Sequence, residues 1–257
     1  SLEEVREKER DLGVEFPLSE RLEVLKEPLT VAGHRIANRI AIQPMEGSDG
    51  TAEGRPGELT KKRYERFAKS GAGLIWLEAV SIAQEGRATP GQLYITEETL
   101  DSFKALVEEI RETAWRENHI QPVIIMQATH SGRYSKPHGY PEPIIAYNNP
   151  LFEKDKPIAG ENIITDDRLM EMEERYGQVT RMAQEAGFDG IDIKCCHRYL
   201  NCELLSAYTR PGAYGGSFEN RTRFFRNAYS SAKSQAKENF IVTSRMNIYD
   251  GFPYPYG

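Results

Sequence analysis

Apolar residues gather into five short runs along the chain, each ending in polar or charged residues. The runs are Asn38 to Pro44, Gly73 to Ala79, Pro122 to Ala128, Asp189 to Lys194 and Phe240 to Arg245. Four are nearly continuous in aliphatic residues, the pattern of parallel strands buried on both faces. The first is weaker but has the same length and the same polar end. Stretches with helical spacing lie between them. Thr60 predicts the cap of a helix carrying Tyr64, Phe67 and Ala68 and stopping at Gly71. Thr96 opens a longer one with Leu100, Phe103, Val107, Ile110 and Ala114 on one face. Thr165 or Asp166 caps a third, with Leu169, Met172, Tyr176, Val179 and Ala183 inward and Gly187 as its stop. Ser217 starts a fourth with Phe224, Phe225, Ala228 and Ala232. Strand and helix alternate, which predicts an α/β fold on a parallel sheet.

Two segments break this rhythm. Gly132 to Gly160 is rich in Pro, Tyr and Asn and lacks helical periodicity, and Gly47 to Gly57 follows the first strand; both read as functional loops. Residues up to about Leu29 form a charged helical lead-in, and no internal repeat is present. The length of 257 residues suits one β/α barrel, which takes about 250. A hydrophobic fraction of 39% and a charged fraction of 28% describe an ordinary water-exposed protein, and no apolar run approaches a membrane span. The formal charge of -6 and the charged start argue against nucleic-acid binding and against a secretory signal. Cys195, Cys196 and Cys202 form no Cys-x-x-Cys pair, so reduced thiols of a cytoplasmic protein are expected rather than a metal site.

The chemistry concentrates at the ends of the strands. Side chains alternate along a strand, so Ile191 and Ile193 share one face while Asp192 and Lys194 share the other, toward a barrel interior. A buried Asp or Lys needs a partner or a ligand. An internal Asp192–Lys194 or Asp192–Arg245 ion pair is the structural alternative to a ligand. Gln43, Glu78, Gln127, Lys194 and Arg245 end separate strands, and their convergence predicts a polar ligand across the barrel mouth. Gln127 offers both a donor and an acceptor to a planar heteroaromatic edge. His130 is read as a loop anchor, His119 and His138 as surface residues, Trp76 as core and Trp115 as helix packing.

These residues together resemble the Old Yellow Enzyme group of FMN-dependent oxidoreductases. The likeness runs through Asn38-Arg39-Ile40 to Pro44-Met45, Leu77-Glu78-Ala79-Val80 with Glu85-Gly86-Arg87, and Gln127 to Arg133. It continues through Gly187 to Arg223 and Val242 to Arg245. The resemblance implies a TIM (β/α)8-type barrel holding FMN at the strand C-termini. It implies that Pro44, Met45 and Ala79 line the flavin ring, that Gln127 bonds its pyrimidine edge, and that Arg245 stabilises the anionic reduced ring. Lys194 and His197 fall where the family grips a substrate carbonyl, and Tyr199 matches the proton donor. Lys194 departs from the family's usual His at that position; it keeps a donor and adds a charge. The implied reaction takes hydride from NADH or NADPH through FMN to a C=C bond conjugated to a carbonyl.

The count of strands limits this picture. Five strand–helix units are only about the first five of a closed eight-stranded barrel, and Tyr249 to Gly257 read as a loop just after a strand. The expected organisation is therefore a lead-in over 1–29 and a partial FMN-binding barrel over 30–257, in a chain that is a fragment and binds FMN weakly. The expected partner is a small unsaturated carbonyl compound, with no nucleic acid and no membrane; self-association into a homo-oligomer is left open. Two other readings are a catalytically silent barrel acting as a binding module, and a metal-dependent hydrolase using Cys195, Cys196 and His197.

Overall fold

The chain opens with α1 (Leu2–Leu12), whose first turn is closed by reciprocal hydrogen bonds between Ser1 and Glu4. An antiparallel hairpin follows, β1 (Leu29–Val31) with β2 (His34–Ile36), which the sequence pattern did not reveal. The computed structural model describes residues 1–19 and 21–257. Among them the five apolar runs become β3 (Ala41–Ile42), β4 (Leu74–Ser81), β5 (Val123–Thr129), β6 (Gly190–Ile193) and β7 (Ile241–Thr243). They lie side by side in chain order, all parallel. β3 is two residues long, which matches the weakness of its pattern.

The crossovers carry the helices α2 (Glu58–Lys69), α3 (Leu100–Asn118), α4 (Asp166–Glu185), α5 (Leu200–Leu205), α6 (Phe218–Arg221) and α7 (Arg223–Gln235). The outward side chains of the sheet, among them Ile75, Leu77, Ile124, Met126, Ile191 and Ile193, pack on Tyr64, Phe103, Ile110, Leu169, Tyr176 and Phe224 of these helices. Each such large side chain, fully removed from water, stabilises the fold by about 1.5–3 kcal/mol. The other face is smaller: Val123, Ile125 and Ile241 meet Ile36, so the hairpin closes the end of the sheet away from the strand C-termini.

Several boundaries differ from the sequence reading. α2 starts at Glu58, two residues before Thr60, which is buried, accepts a hydrogen bond from Gly57 N–H and donates to Asp49. α3 begins at Leu100 behind Thr99 rather than at Thr96. The helix expected after Ser217 is split at Thr222 into α6 and α7, and α5 was not foreseen. α4 is capped by Thr165, and its predicted inward face is buried. Trp115 is half exposed instead of packed between helices. The Gly132 to Gly160 segment has no regular structure beyond short turns, yet Ile145, Ala146, Tyr147 and Asn149 are buried, and Tyr147 hydroxyl donates to the Ser206 carbonyl.

Gly190 sits where β6 is squeezed between β5 and β7. A Cβ there would stand 2.7 Å from both Cβ and the carbonyl oxygen of Ile241. Gly190→Ala is expected to destabilise the chain by about 1–3 kcal/mol through forced strand separation. Gly160→Ala, in open space, should change stability by less than about 0.5 kcal/mol. Urea unfolding midpoints of the two variants against the parent check both.

Candidate functional site

The site is built where β4, β5, β6 and β7 end. An irregularity in β4 decides which of its side chains reach it. Between Leu77 and Ala79 the pairing with β5 slips by one residue, so that Leu77 pairs with Met126 and Ala79 with Gln127. Such a bulge re-aims the extra residue. Ala79 therefore takes the inner position beside Gln127. Glu78 turns away and is bound by the Arg63 guanidinium at 2.6 Å and by Gly47 N–H at 2.9 Å. Glu78 is thus not a ligand of the barrel mouth. It ties down the loop after β3, which Asp49, also paired with Arg63, secures again. A Cβ at Gly47 would collide with the Arg63 guanidinium and push it off Asp49 and Glu78.

The inner face holds a layer of polar groups around Asp192. Its carboxylate accepts from Gln127 Nε2 at 2.6 Å, from Trp76 Nε1 at 3.0 Å and from Arg245 N–H at 2.8 Å. Burial pushes the Asp192 carboxyl above the usual carboxylate range, and these three donors oppose the shift. Neither expected ion pair forms: Arg245 contributes its backbone, and Lys194 turns to another acid. Trp76 is not simply core, since its indole N–H belongs to this layer.

Lys194 is buried, with Nζ 3.5 Å from Glu46 Oε1 and 3.9 Å from the centre of the Tyr199 ring. Tyr199 hydroxyl donates to Glu46 Oε2 at 3.4 Å. Burial draws the Lys194 ammonium below its ordinary range, while Glu46 and Asp192 hold it up. Burial, followed by the Glu46 charge, raises the Tyr199 phenol well above its ordinary value, so the phenol keeps its proton. His197 lies 6.3 Å from Tyr199, ring centre to ring centre, on a left-handed turn in which both His197 and Arg198 have positive φ. Partial burial and the Lys194 and Arg245 charges lower its pKa, so it is neutral at neutral pH.

Of the expected catalytic groups, Tyr199 and Lys194 touch and His197 stands beside them. Of the expected ring-binding groups, Gln127, Ala79 and Arg245 line the inner rim. Arg245 Nη1 reaches the Pro44 carbonyl at 3.5 Å, and Met45 is largely exposed. Gln43 is exposed, and its side chain makes no hydrogen bond among the described residues. Sequence reasoning missed Glu46 and Gln92. A charged residue directly after Pro44-Met45, bordering the Gly47 to Gly57 loop read as functional, was the available signal for Glu46. Nothing in the local pattern marks Gln92, which is fully buried and donates to Glu46 at 3.0 Å and to the Ala79 carbonyl at 3.1 Å. His130 is a loop anchor, accepting from Gly132 N–H through Nδ1.

The three cysteines are buried and unpaired, and burial pushes the Cys202 thiol up to about 12. Among the described residues no group of three His, Cys, Asp or Glu side chains is placed to hold a metal ion, and no helix is long and apolar enough to cross a membrane. Two capacities on the inner rim are left over among those residues. Gln127 Oε1 accepts nothing, and the Arg245 guanidinium has no carboxylate partner. A free acceptor and a cation on one rim, with the small Ala79 paired to Gln127 on the β4 side, fit the N–H and carbonyl edge of a flat heteroaromatic ring that becomes anionic.

The chain is a β/α barrel segment with polar groups gathered at its strand ends, and comparison with known proteins gives the family. Residues 24–253 match the NADH:flavin oxidoreductase / NADH oxidase family, and the chain belongs to it. It is 34% identical over 205 residues to an NADPH dehydrogenase of Geobacillus sp., covering 78% of this chain and 57% of that protein. It is 30% identical over 210 residues to an NADPH dehydrogenase of Bacillus subtilis, covering 80% of this chain and 59% of the relative. The chain thus spans less than two thirds of the length of these relatives. Among solved structures, Old Yellow Enzyme from Pichia sp. AKU4542 superposes with a TM-score of 0.76 at 23% identity, over 89% of this chain and 61% of that one. The fold is accordingly the part of a TIM-type barrel formed by about its first five βα units.

The loop anchor His130 has a measurable signature. Complete burial lowers its pKa from 6.5 to about 4, against the pull of Glu85. The folded chain keeps it neutral where the unfolded chain takes up a proton. Its contribution is therefore complete above about pH 6.5 and is lost as the pH falls toward 4, by up to roughly 3 kcal/mol. Urea midpoints of the parent and of His130→Gln, compared at about pH 7 and about pH 4.5, should show a shallower acid loss in the variant.

Proposed function

We propose that the protein is an FMN-dependent oxidoreductase that passes hydride from NADH or NADPH, by way of the flavin, to a C=C bond conjugated to a carbonyl. The observation that carries this reading is the meeting of two sets of groups at the strand C-termini. Lys194 stands 3.9 Å from the Tyr199 ring centre with His197 beside it, and Gln127 and the Arg245 backbone both donate to Asp192 on the same strand ends. Family membership supports the same reading.

In this assignment Pro44, Met45 and Ala79 would line the flavin ring and Gln127 Oε1 would accept from its pyrimidine edge. Asp192 fixes the direction of the Gln127 amide by taking its Nε2 hydrogen. Arg245 would place a positive charge beside the ring as it gains electron density. FMN supplies the hydride chemistry when bound, and the protein supplies binding, orientation and electrostatics. Lys194 Nζ and His197 donate to the substrate carbonyl oxygen as negative charge builds on it; donors aimed at developing charge count most in a site that excludes water. Tyr199 hydroxyl gives its proton to the α-carbon. Its raised pKa makes it a weak acid, suited to a strongly basic carbon and not to water. The substrate is a small unsaturated carbonyl compound.

The full-length holoenzyme should oxidise NADH or NADPH when given an enone. Tyr199→Phe is expected to slow enone reduction about 10²-fold or more, while stopped-flow bleaching of the yellow flavin by the nicotinamide cofactor keeps its rate. Equal loss in both phases, or full-length protein that carries no flavin, would sink the assignment.

A further inference from the structure

Glu46 is a carboxylate that the reaction above does not require, yet the fold constructs a place for it. Its Oε1 receives an N–H from Gln92 at 3.0 Å. Gln92 is fully buried and locked at both ends of its amide, donating to the Ala79 carbonyl and accepting from Ala88 N–H at 2.6 Å. The next residue, Gly47, is pinned by its N–H to the buried Glu78. Glu46 cannot drift away from Lys194 without breaking these contacts. Its side chain keeps 20% of its exposure, so it borders the open mouth, while that of Lys194 keeps 3%.

The charges around Lys194 can be counted element by element. From the loop after β3 comes Glu46, and from β6 itself comes Asp192, whose oxygens are taken by three donors. The turn after β6 adds the buried Cys196 thiol, His197 and the protonated Tyr199. Arg245 at the end of β7 points to the Pro44 carbonyl. Glu46 is the acid that meets the ammonium directly. An ammonium has three N–H groups, so pairing with Glu46 leaves donors for a substrate oxygen.

We infer that Glu46 is the built-in counter-ion of Lys194 and a specificity-determining residue, which sets the anchor to accept a neutral carbonyl oxygen and to reject a carboxylate anion. The assignment of Lys194 as an anchor rests on the function proposed above. A neutral carbonyl takes a free N–H of Lys194 and leaves the ion pair in place. A carboxylate brings a second negative charge against Glu46, and like charges sharing one site disfavour each other. It binds only by displacing an acid that Gln92 and the loop hold in position. With Glu46 made neutral, Lys194 becomes a buried cation without a partner, and an anion is the ligand that satisfies it.

The test compares acrylate with methyl acrylate, which differ in little beyond the charge. In the full-length holoenzyme, Glu46→Gln is expected to raise kcat/KM for acrylate relative to methyl acrylate by about tenfold or more, a change of about 1.4 kcal/mol. Calorimetric titration without nicotinamide reads the same selectivity with no turnover: acrylate should bind the variant about tenfold tighter, and methyl acrylate within about twofold of the parent. Adding Lys194→Met should abolish the gain. Glu46→Ser serves as a second neutral variant if the Gln form does not fold. An unchanged acrylate preference in a folded neutral variant, or a gain that survives loss of Lys194, overturns the inference. A parent that reduces no enone, with the calorimetric shift intact, would instead overturn the proposed reaction and leave the counter-ion standing.

Discussion

One buried carboxylate joins the functional end of the sheet. Asp192 stands on β6 and takes hydrogen bonds from Trp76 on β4, from Gln127 on β5 and from the Arg245 backbone just past β7. A carboxylate out of water is costly unless its oxygens are satisfied, and here three donors from three strands satisfy them. The arrangement works in both directions. The strands must be in their observed register for the donors to converge, and each donor is oriented by the acid it serves. Removing the acid would leave a buried amide and a buried indole N–H without partners, each costing about 1–3 kcal/mol.

The functional groups inherit their geometry from that layer. Gln127 presents its carbonyl to the mouth because its amino group is committed to Asp192. Arg245 keeps most of its guanidinium free because Asp192 is served by its backbone and the side chain reaches only the Pro44 carbonyl. Two residues further on, just past β6, Lys194 emerges on the same face by strand alternation and meets Glu46 and Tyr199. The bulge in β4 completes the separation. It sends Glu78 to Arg63, away from the mouth, and brings the small Ala79 beside Gln127. Two acids of similar burial in sequence terms thus do different work, one tying a loop and the other ordering a rim.

Much of this was legible in the chain. The five runs became five parallel strands in the order read, because a run apolar on both faces has no stable place except between layers. The inward faces of α3 and α4 followed from their 3.6-residue spacing. The grouping of Lys194, His197 and Tyr199 was visible as a cluster after a strand. Helix starts were read less well. Thr60 and Thr96 read as caps in the sequence, but their hydroxyls serve Gly57, Asp49 and Thr99 from other positions. The hairpin before β3 escaped notice because its three-residue strands are too short for an alternating pattern to declare itself.

By itself the sequence determined the α/β alternation, the faces of the long helices, and which side of β6 carries charge. All of these rest on local periodicity, which each segment expresses on its own. Only the tertiary structure decided the partner of each charged side chain: Arg63 for Glu78, Glu46 for Lys194, and three neutral donors for Asp192. Those partners lie up to 148 residues apart in the chain. A one-residue slip in β4 was enough to reassign one of them, and no local pattern records a slip that exists only between two strands.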